Sequence, residues 1–368
     1  MNIVESQTKN IIKLATKLIS IESTKDKPEK LAEALSVAKG LLSSYSYIKY
    51  EKNGIKSLLF YNSKSLPNKF KIILNAHLDV VPAKSNQFLP KIVGNRLVGR
   101  GACDMKASAA VMIYLFLDIS NKVNYPLGLQ LVTDEETGGY NGAKYQLEQG
   151  IRADFVITGE PTDLEIVIKS KGTFSLFIKA SGTNAHSATP WEGRNALSSL
   201  VDYIQILQKK FPTPIQEAWK TTCSLMWITT TNKTGNVIPD QAEAKMDIRY
   251  IPKSFSANEK EIIDFFSKLT TKEIALSLGE GIKLPQDVDP NNQFVQQLKR
   301  IAEKVVKTDV LLSSRHYATD IMHFYRYNIN GVCFGPKGKG LHSDYEYVEI
   351  TSLYQQYEIL KQFLLENN

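Results

Sequence analysis

The stretch FKIILNAHLDVVP, Phe70 to Pro82, decides the fold. Its first half is short, apolar and rich in isoleucine, which reads as a buried strand. Side chains alternate along a strand, so His77 and Asp79 share one face at its end. Working outward, helices are expected near 3–20 and 28–43 and strands near 57–62 and 70–77. GLQLVTDEE and ADFVITGEP each read as a strand running straight into acidic residues. Alternation of this kind predicts an α/β domain with a mostly parallel central sheet. In such sheets chemistry collects where the strands end, at their carboxyl edge.

The pattern changes near residue 165. EIVIKSKGTFSLFIKASG reads as two strands and EGRNALSSLVDYIQILQKKF as a helix. CSLMWITTT and AEAKMDIRY read as two further strands, followed by a helix near 257–270. The simplest organisation is a discontinuous α/β domain, residues 1–165 and 283–368, carrying an inserted α+β domain over 166–282. The tail returns to helix and strand alternation and ends in a helix near 350–366.

Composition narrows the function classes. The chain has 368 residues, 43% hydrophobic and 23% charged, as in ordinary soluble globular proteins. The N-terminal apolar positions, among them Ile11, Leu14 and Leu18, recur at helical spacing with lysines between them, unlike a signal peptide. No run approaches the ~20 apolar residues of a membrane span. The expectation is a cytoplasmic protein that is not bound to a membrane. Cys103, Cys223 and Cys333 are far apart and make neither a disulfide framework nor a CxxC metal clip. A net charge of +7 without a dense basic block argues against nucleic-acid binding.

The acidic strand ends make a pattern together. His77 and Asp79 follow one strand, and GRGACDMK supplies Asp104 before an apolar helix. TDEETGG supplies Glu135 and Glu136, TGEPT supplies Glu160, and GPKGKGLHSDYE offers His342. Carboxylates gathered at one sheet edge repel one another unless cations neutralise them. Two imidazoles with several carboxylates suit zinc, cobalt or manganese. A carboxylate of Asp79 on the second ring nitrogen of His77 would fix the tautomer and aim the other nitrogen at a metal.

These motifs, HxDVVP, GRGACDMK, DEETGG, GEP and the late histidine, resemble in order and spacing the dinuclear zinc aminoacylases and metallopeptidases. That family includes acetylornithine deacetylase, succinyl-diaminopimelate desuccinylase and glutamate carboxypeptidase. The resemblance implies two divalent ions, most simply zinc, bridged by Asp104. His77 and Glu160 would complete one ion, Glu136 and His342 the other, and Glu135 would be the general base. It also implies a cis peptide between Asp104 and Met105. SGTNAHSATPWEGRNA resembles the family segment that lies in a ferredoxin-like dimerisation domain and delivers a histidine, here His186, to the partner's active site. GNVIPDQAEAKMDIRY carries over Asn236 and Arg249 as substrate contacts, and YATD adds Thr319.

The expected activity is hydrolysis of an N-acyl amino acid in the style of acetylornithine deacetylase, by a homodimer. A dipeptidase or carboxypeptidase acting on short peptides, or a succinyl-diaminopimelate desuccinylase with the same metal site, is the alternative. Desuccinylase activity is disfavoured, because His316 to Met322 lacks the arginine those enzymes carry in this stretch. His316 is an open candidate for substrate contact, whereas His323 reads as structural. A catalytically silent binding protein is the rival from another class, and an intact Glu135 with a complete ligand set argues against it.

Overall fold

The structure is a computed structural model that describes residues 3–255, 258–270, 273–279 and 281–368. Two compact units emerge: Met1–Lys169 with Val288–Ser314 and Thr319–Asn368, and Ser170–Asp287 with Arg315–Ala318.

The larger unit is built on a mixed sheet. Its principal strands are β1 (Ser46–Lys52), β2 (Ile55–Tyr61), β3 (Phe70–His77), β4 (Leu127–Val132), β5 (Ala153–Thr158), β6 (Ile166–Ser170) and β7 (Asn330–Cys333). They lie in the order β1-β2-β4-β3-β5-β7-β6. The centre, β4-β3-β5-β7, is parallel, and the flanking pairs are antiparallel. The central strands are apolar because both their faces are covered, as parallel sheets require. The helix Lys106–Ile119 is apolar all round for the same reason: it packs in the main core beside Ile3–Ile19 and the final helix Ile350–Glu366.

Register places the chemistry. His77 is level with Val132, and Asn75 with Thr158, so β3, β4 and β5 finish together. The residues that follow them, His77 to Asp79, Asp134 to Glu136 and Gly159 to Glu160, therefore collect at one carboxyl edge.

The smaller unit has a four-stranded antiparallel sheet in the order Thr222–Thr230, Gln241–Tyr250, Gly172–Ser181, Ile274–Leu278. With helices Ala196–Lys210 and Glu259–Ser267 this is the βαββαβ, ferredoxin-like arrangement. Residue 257, where the sequence reading starts the second helix, lies outside the described residues. Two details differ from the sequence reading. The first strand read at the start of the insert is β6, which pairs with β7 in the large sheet. The insert's fourth strand is instead Ile274–Leu278, a five-residue edge segment with only one fully buried side chain, which leaves almost no periodic signal.

Gly335 ties the end of β7 to Glu160. A Cβ there would run into the backbone carbonyls of Glu160 and Gly159, atoms that cannot swing aside. Gly335→Ala is expected to lose about 1–3 kcal/mol of stability, measured by urea denaturation.

Candidate metal centre

His77 sets the geometry. Its Nδ1 lies 3.0 Å from the backbone carbonyl of Asp79, an acceptor, so this nitrogen carries a proton. Its Nε2 then faces Asp104 Oδ1 at 3.0 Å and Glu160 Oε1 at 3.9 Å. A lone pair against two carboxylates is unfavourable unless the ring takes a second proton or a cation lies between them. Burial opposes a charged ring, but Asp104, Asp79 and Glu160 together hold His77 well above the usual imidazole range.

The Asp79 carboxylate has a different duty from the one expected. It stands 3.6 Å from His77 Nδ1, too far for a hydrogen bond. Its oxygens accept instead from the backbone N–H groups of Glu135, at 3.3 Å, and Glu136, at 3.0 Å. Asp79 thus aims His77 with its carbonyl and the acidic turn with its side chain.

Asp104 faces both histidines. Oδ1 meets His77, and Oδ2 lies 3.4 Å from His342 Nε2, which is also 3.2 Å from Glu136 Oε2. Burial works against ionisation of Asp104, yet its bonds to His342 and His77 hold it below the carboxylate range. The same bonds, to Asp104 and Glu136, push His342 up to about 10. The Asp104–Met105 peptide is cis.

Two ligand-like groups result: His77, Glu135 and Glu160, and Asp104, Glu136 and His342. Within each, one donor atom per residue lies within 4.8 Å of the others. Burial first, and then Glu160, hold Glu135 well above the carboxylate range; burial and Asp104 do the same for Glu160. Glu160 Oε1 is buried without a hydrogen-bond partner. An orphaned oxygen, a lone pair facing carboxylates and a nitrogen–oxygen donor set all fit a pair of divalent cations. Cys103 is adjacent in sequence, but burial pushes its thiol well above the usual range, which suits an inert side chain.

Thr319, read from the sequence as a substrate contact, is buried. Its hydroxyl faces Cys333 Sγ at 3.3 Å and the Ile321 N–H at 3.4 Å. His323 is buried, with Nε2 2.8 Å from the Gly138 carbonyl.

Asn236, Arg249, His186 and His316 belong to the smaller unit. His186 and Asn236 sit on neighbouring loops joined by Ser187 N–H to the Asn236 carbonyl, 2.9 Å. His186 is exposed and its Nδ1 accepts from the Ala188 N–H at 3.0 Å. Arg249 bonds Asp247 through Nε at 2.8 Å, and His316 faces Glu217 at 3.0 Å. Arg249 and His316 line a cavity of about 290 Å³ together with Lys171 and Thr222. Lys171 is 2% exposed, with Nζ 5.8 Å from the Trp219 ring. Sequence reasoning passed over Lys171, and also Arg100 and Glu346, although these two stand inside the motifs that supply Asp104 and His342. Among the described residues no helix is long and apolar enough to cross a membrane.

Comparison with known proteins agrees with this geometry. Residues 73–366 match the peptidase family M20/M25/M40. A succinyl-diaminopimelate desuccinylase of Pelagibacter ubique is 28% identical over 82% of this chain and 86% of its own. A probable carboxypeptidase of Emericella nidulans is 26% identical over 91% and 84%. The crystal structure of the aminopeptidase PepT from Bacillus cereus superposes with a TM-score of 0.80 at 17% identity, covering 98% of both chains. The chain belongs to the peptidase family M20/M25/M40, and is a hydrolase that acts on amide bonds.

Proposed function

We propose that the protein hydrolyses the amide bond of N-acyl amino acids, with two zinc ions held around Asp104. The observation that carries this reading is the Asp104 carboxylate facing one histidine with each oxygen, with Glu135 beside the pair. His77 and Glu160 would hold one ion with Asp104, and Glu136 and His342 the other. Cobalt or manganese suit the same donors. When bound, such ions polarise the scissile carbonyl and acidify water.

Glu135 is the general base in this reading: it takes the proton of the attacking water and returns it to the leaving amine. Its backbone is fixed by Asp79, so its carboxylate need not be spent on holding the turn. His186 is the oxyanion donor. Because Nδ1 accepts from Ala188, the proton sits on Nε2, the nitrogen left to stabilise developing negative charge. The cavity around Lys171 and Arg249 suits a substrate carboxylate. Asp247 offsets Arg249, whereas Lys171 has no ion-pair partner among the described residues.

A relative named as a carboxypeptidase supports a second reading, cleavage of dipeptides by the same groups. Amine release from N-acetyl amino acids, N-succinyl-diaminopimelate and dipeptides, with and without chelator, separates the two. Chelator-sensitive release from the acylated amino acids supports the proposal, and release confined to dipeptides replaces it. Glu135→Ala is expected to lower turnover roughly 10²–10⁴-fold while metal content stays at the wild-type level. Loss of metal in that variant would make Glu135 a ligand.

Delivery of His186 to another active site needs a homodimer. The edge strand Thr222–Thr230 exposes Leu225, Met226, Trp227 and Ile228 in succession, a surface suited to a second copy. Ile228→Lys is expected to shift sedimentation from dimer to monomer and to reduce turnover with it. A wild-type protein that sediments as a monomer and is fully active would refute this part.

The metal-free protein should lose stability as pH rises. Burial pushes Asp134 up to about 6 and Asp320 up to about 7, from 3.8, while His342 rises from 6.5 to about 10. In each case the folded state holds a proton that the unfolded chain releases. Their contribution is complete below the unfolded value and disappears as pH passes the folded one. Calorimetry of metal-free protein should show the melting temperature falling from about pH 5 to pH 7; above that the loss from His342 is opposed by Lys106, whose ammonium is lowered by burial to about 7. Added zinc should raise it more at pH 7 than at pH 5, and a metal-free protein that melts higher at pH 7 than at pH 5 would contradict the assignment.

A further inference from the structure

His342 is the least secured member of the cluster. Its side chain is about half exposed, and its backbone has φ 61°, a left-handed conformation that few non-glycine residues adopt. What holds its loop therefore decides where its imidazole lies. The carbonyl of the next residue, Ser343, accepts from Arg100 Nη2 at 3.3 Å and Gln87 Nε2 at 2.9 Å. Arg100 also binds Glu346 through Nη1 at 2.5 Å. The other oxygen of Glu346 accepts from the backbone N–H groups of Cys103, 2.9 Å, and Asp104, 3.1 Å. Both side chains are buried, and the Gly99 N–H bonds the Glu346 carbonyl at 3.0 Å.

One buried ion pair thus grips the two loops that supply Asp104 and His342, which lie 238 residues apart in the numbering (342 minus 104). Neither Arg100 nor Glu346 belongs to the ligand-like groups. We infer that the Arg100–Glu346 pair is a positioning device that sets the spacing between Asp104 and His342, and thereby the affinity for the ion held by Asp104, Glu136 and His342. A carboxylate is needed at 346 because it serves two demands at once. One oxygen accepts from two amides while the other takes a guanidinium N–H. A glutamine keeps the first and sets its own donor against Arg100. A lysine at 100 reaches Glu346 but lacks the planar fork that also reaches Ser343.

The inference rests on reading the cluster as a metal centre, and cobalt(II) titration of metal-free protein, followed by visible absorption and calorimetry, tests the two separately. Wild-type protein that takes up no cobalt refutes the metal reading. Given two ions in the wild type, the step abolished by His342→Ala identifies the site in question. Glu346→Gln is expected to weaken that step about 10–100-fold, the usual cost of losing a group that orients a ligand. Arg100→Lys should weaken the same step and leave the other within about threefold, because it frees Ser343 while Glu346 keeps its amides. Phe363→Leu, a core change in the final helix, should lower the melting temperature and leave both steps unchanged. Wild-type cobalt affinities in Glu346→Gln and Arg100→Lys would overturn the inference. So would a loss of affinity in Phe363→Leu equal to theirs, since the pair would then serve stability alone. Arg100→Lys decides the matter if Glu346→Gln does not fold.

Discussion

Asp104 faces two imidazoles, 3.0 Å and 3.4 Å away, and much of the larger unit is arranged to keep it so. One carboxylate between two ring nitrogens, with Glu136, Glu160 and Glu135 close by, concentrates negative charge where burial penalises it. The opposed shifts at the site express that cost: Asp104 is held low while Glu135 and Glu160 are forced high. Only added positive charge relieves all of them together. In that sense the folded chain stores an electrostatic demand that cations satisfy.

Holding such a set in place is largely the task of backbone groups. The Asp79 carbonyl orients His77, and the Asp79 carboxylate anchors the amides of Glu135 and Glu136. Glu346 does the same for Cys103 and Asp104. Below the site a relay runs from Asn75 to Gln130 to Gln146 to Ser57, with contacts of 2.7, 2.9 and 2.9 Å. The side-chain N–H groups of this relay find acceptors in one another, while Asn75 Oδ1 is left without a partner.

The smaller unit follows a different logic. Its sheet buries one face against two helices and leaves Asp247 and Arg249 on the other. Segment 315–318 joins this unit although the chain around it belongs to the other. The Lys171 N–H bonds the Arg315 carbonyl at 3.1 Å and brings His316 to the cavity. No local pattern in the sequence announces that pairing, because both partners are single backbone groups 144 positions apart (315 minus 171).

The sequence by itself determined the strand Phe70–His77, the apolar helix after Asp104 and the set of histidines and carboxylates. Periodicity and acidic strand ends are local properties that survive in the bare chain. Tertiary structure alone decided that Asp79 serves the acidic turn with its carboxylate, and that Thr319 turns its hydroxyl inward. It alone revealed that Arg100 and Glu346 link the loops of Asp104 and His342. Those outcomes depend on distances between segments far apart in the chain, and a hydrogen bond that is lost by a displacement of about half an ångström leaves no trace in residue order.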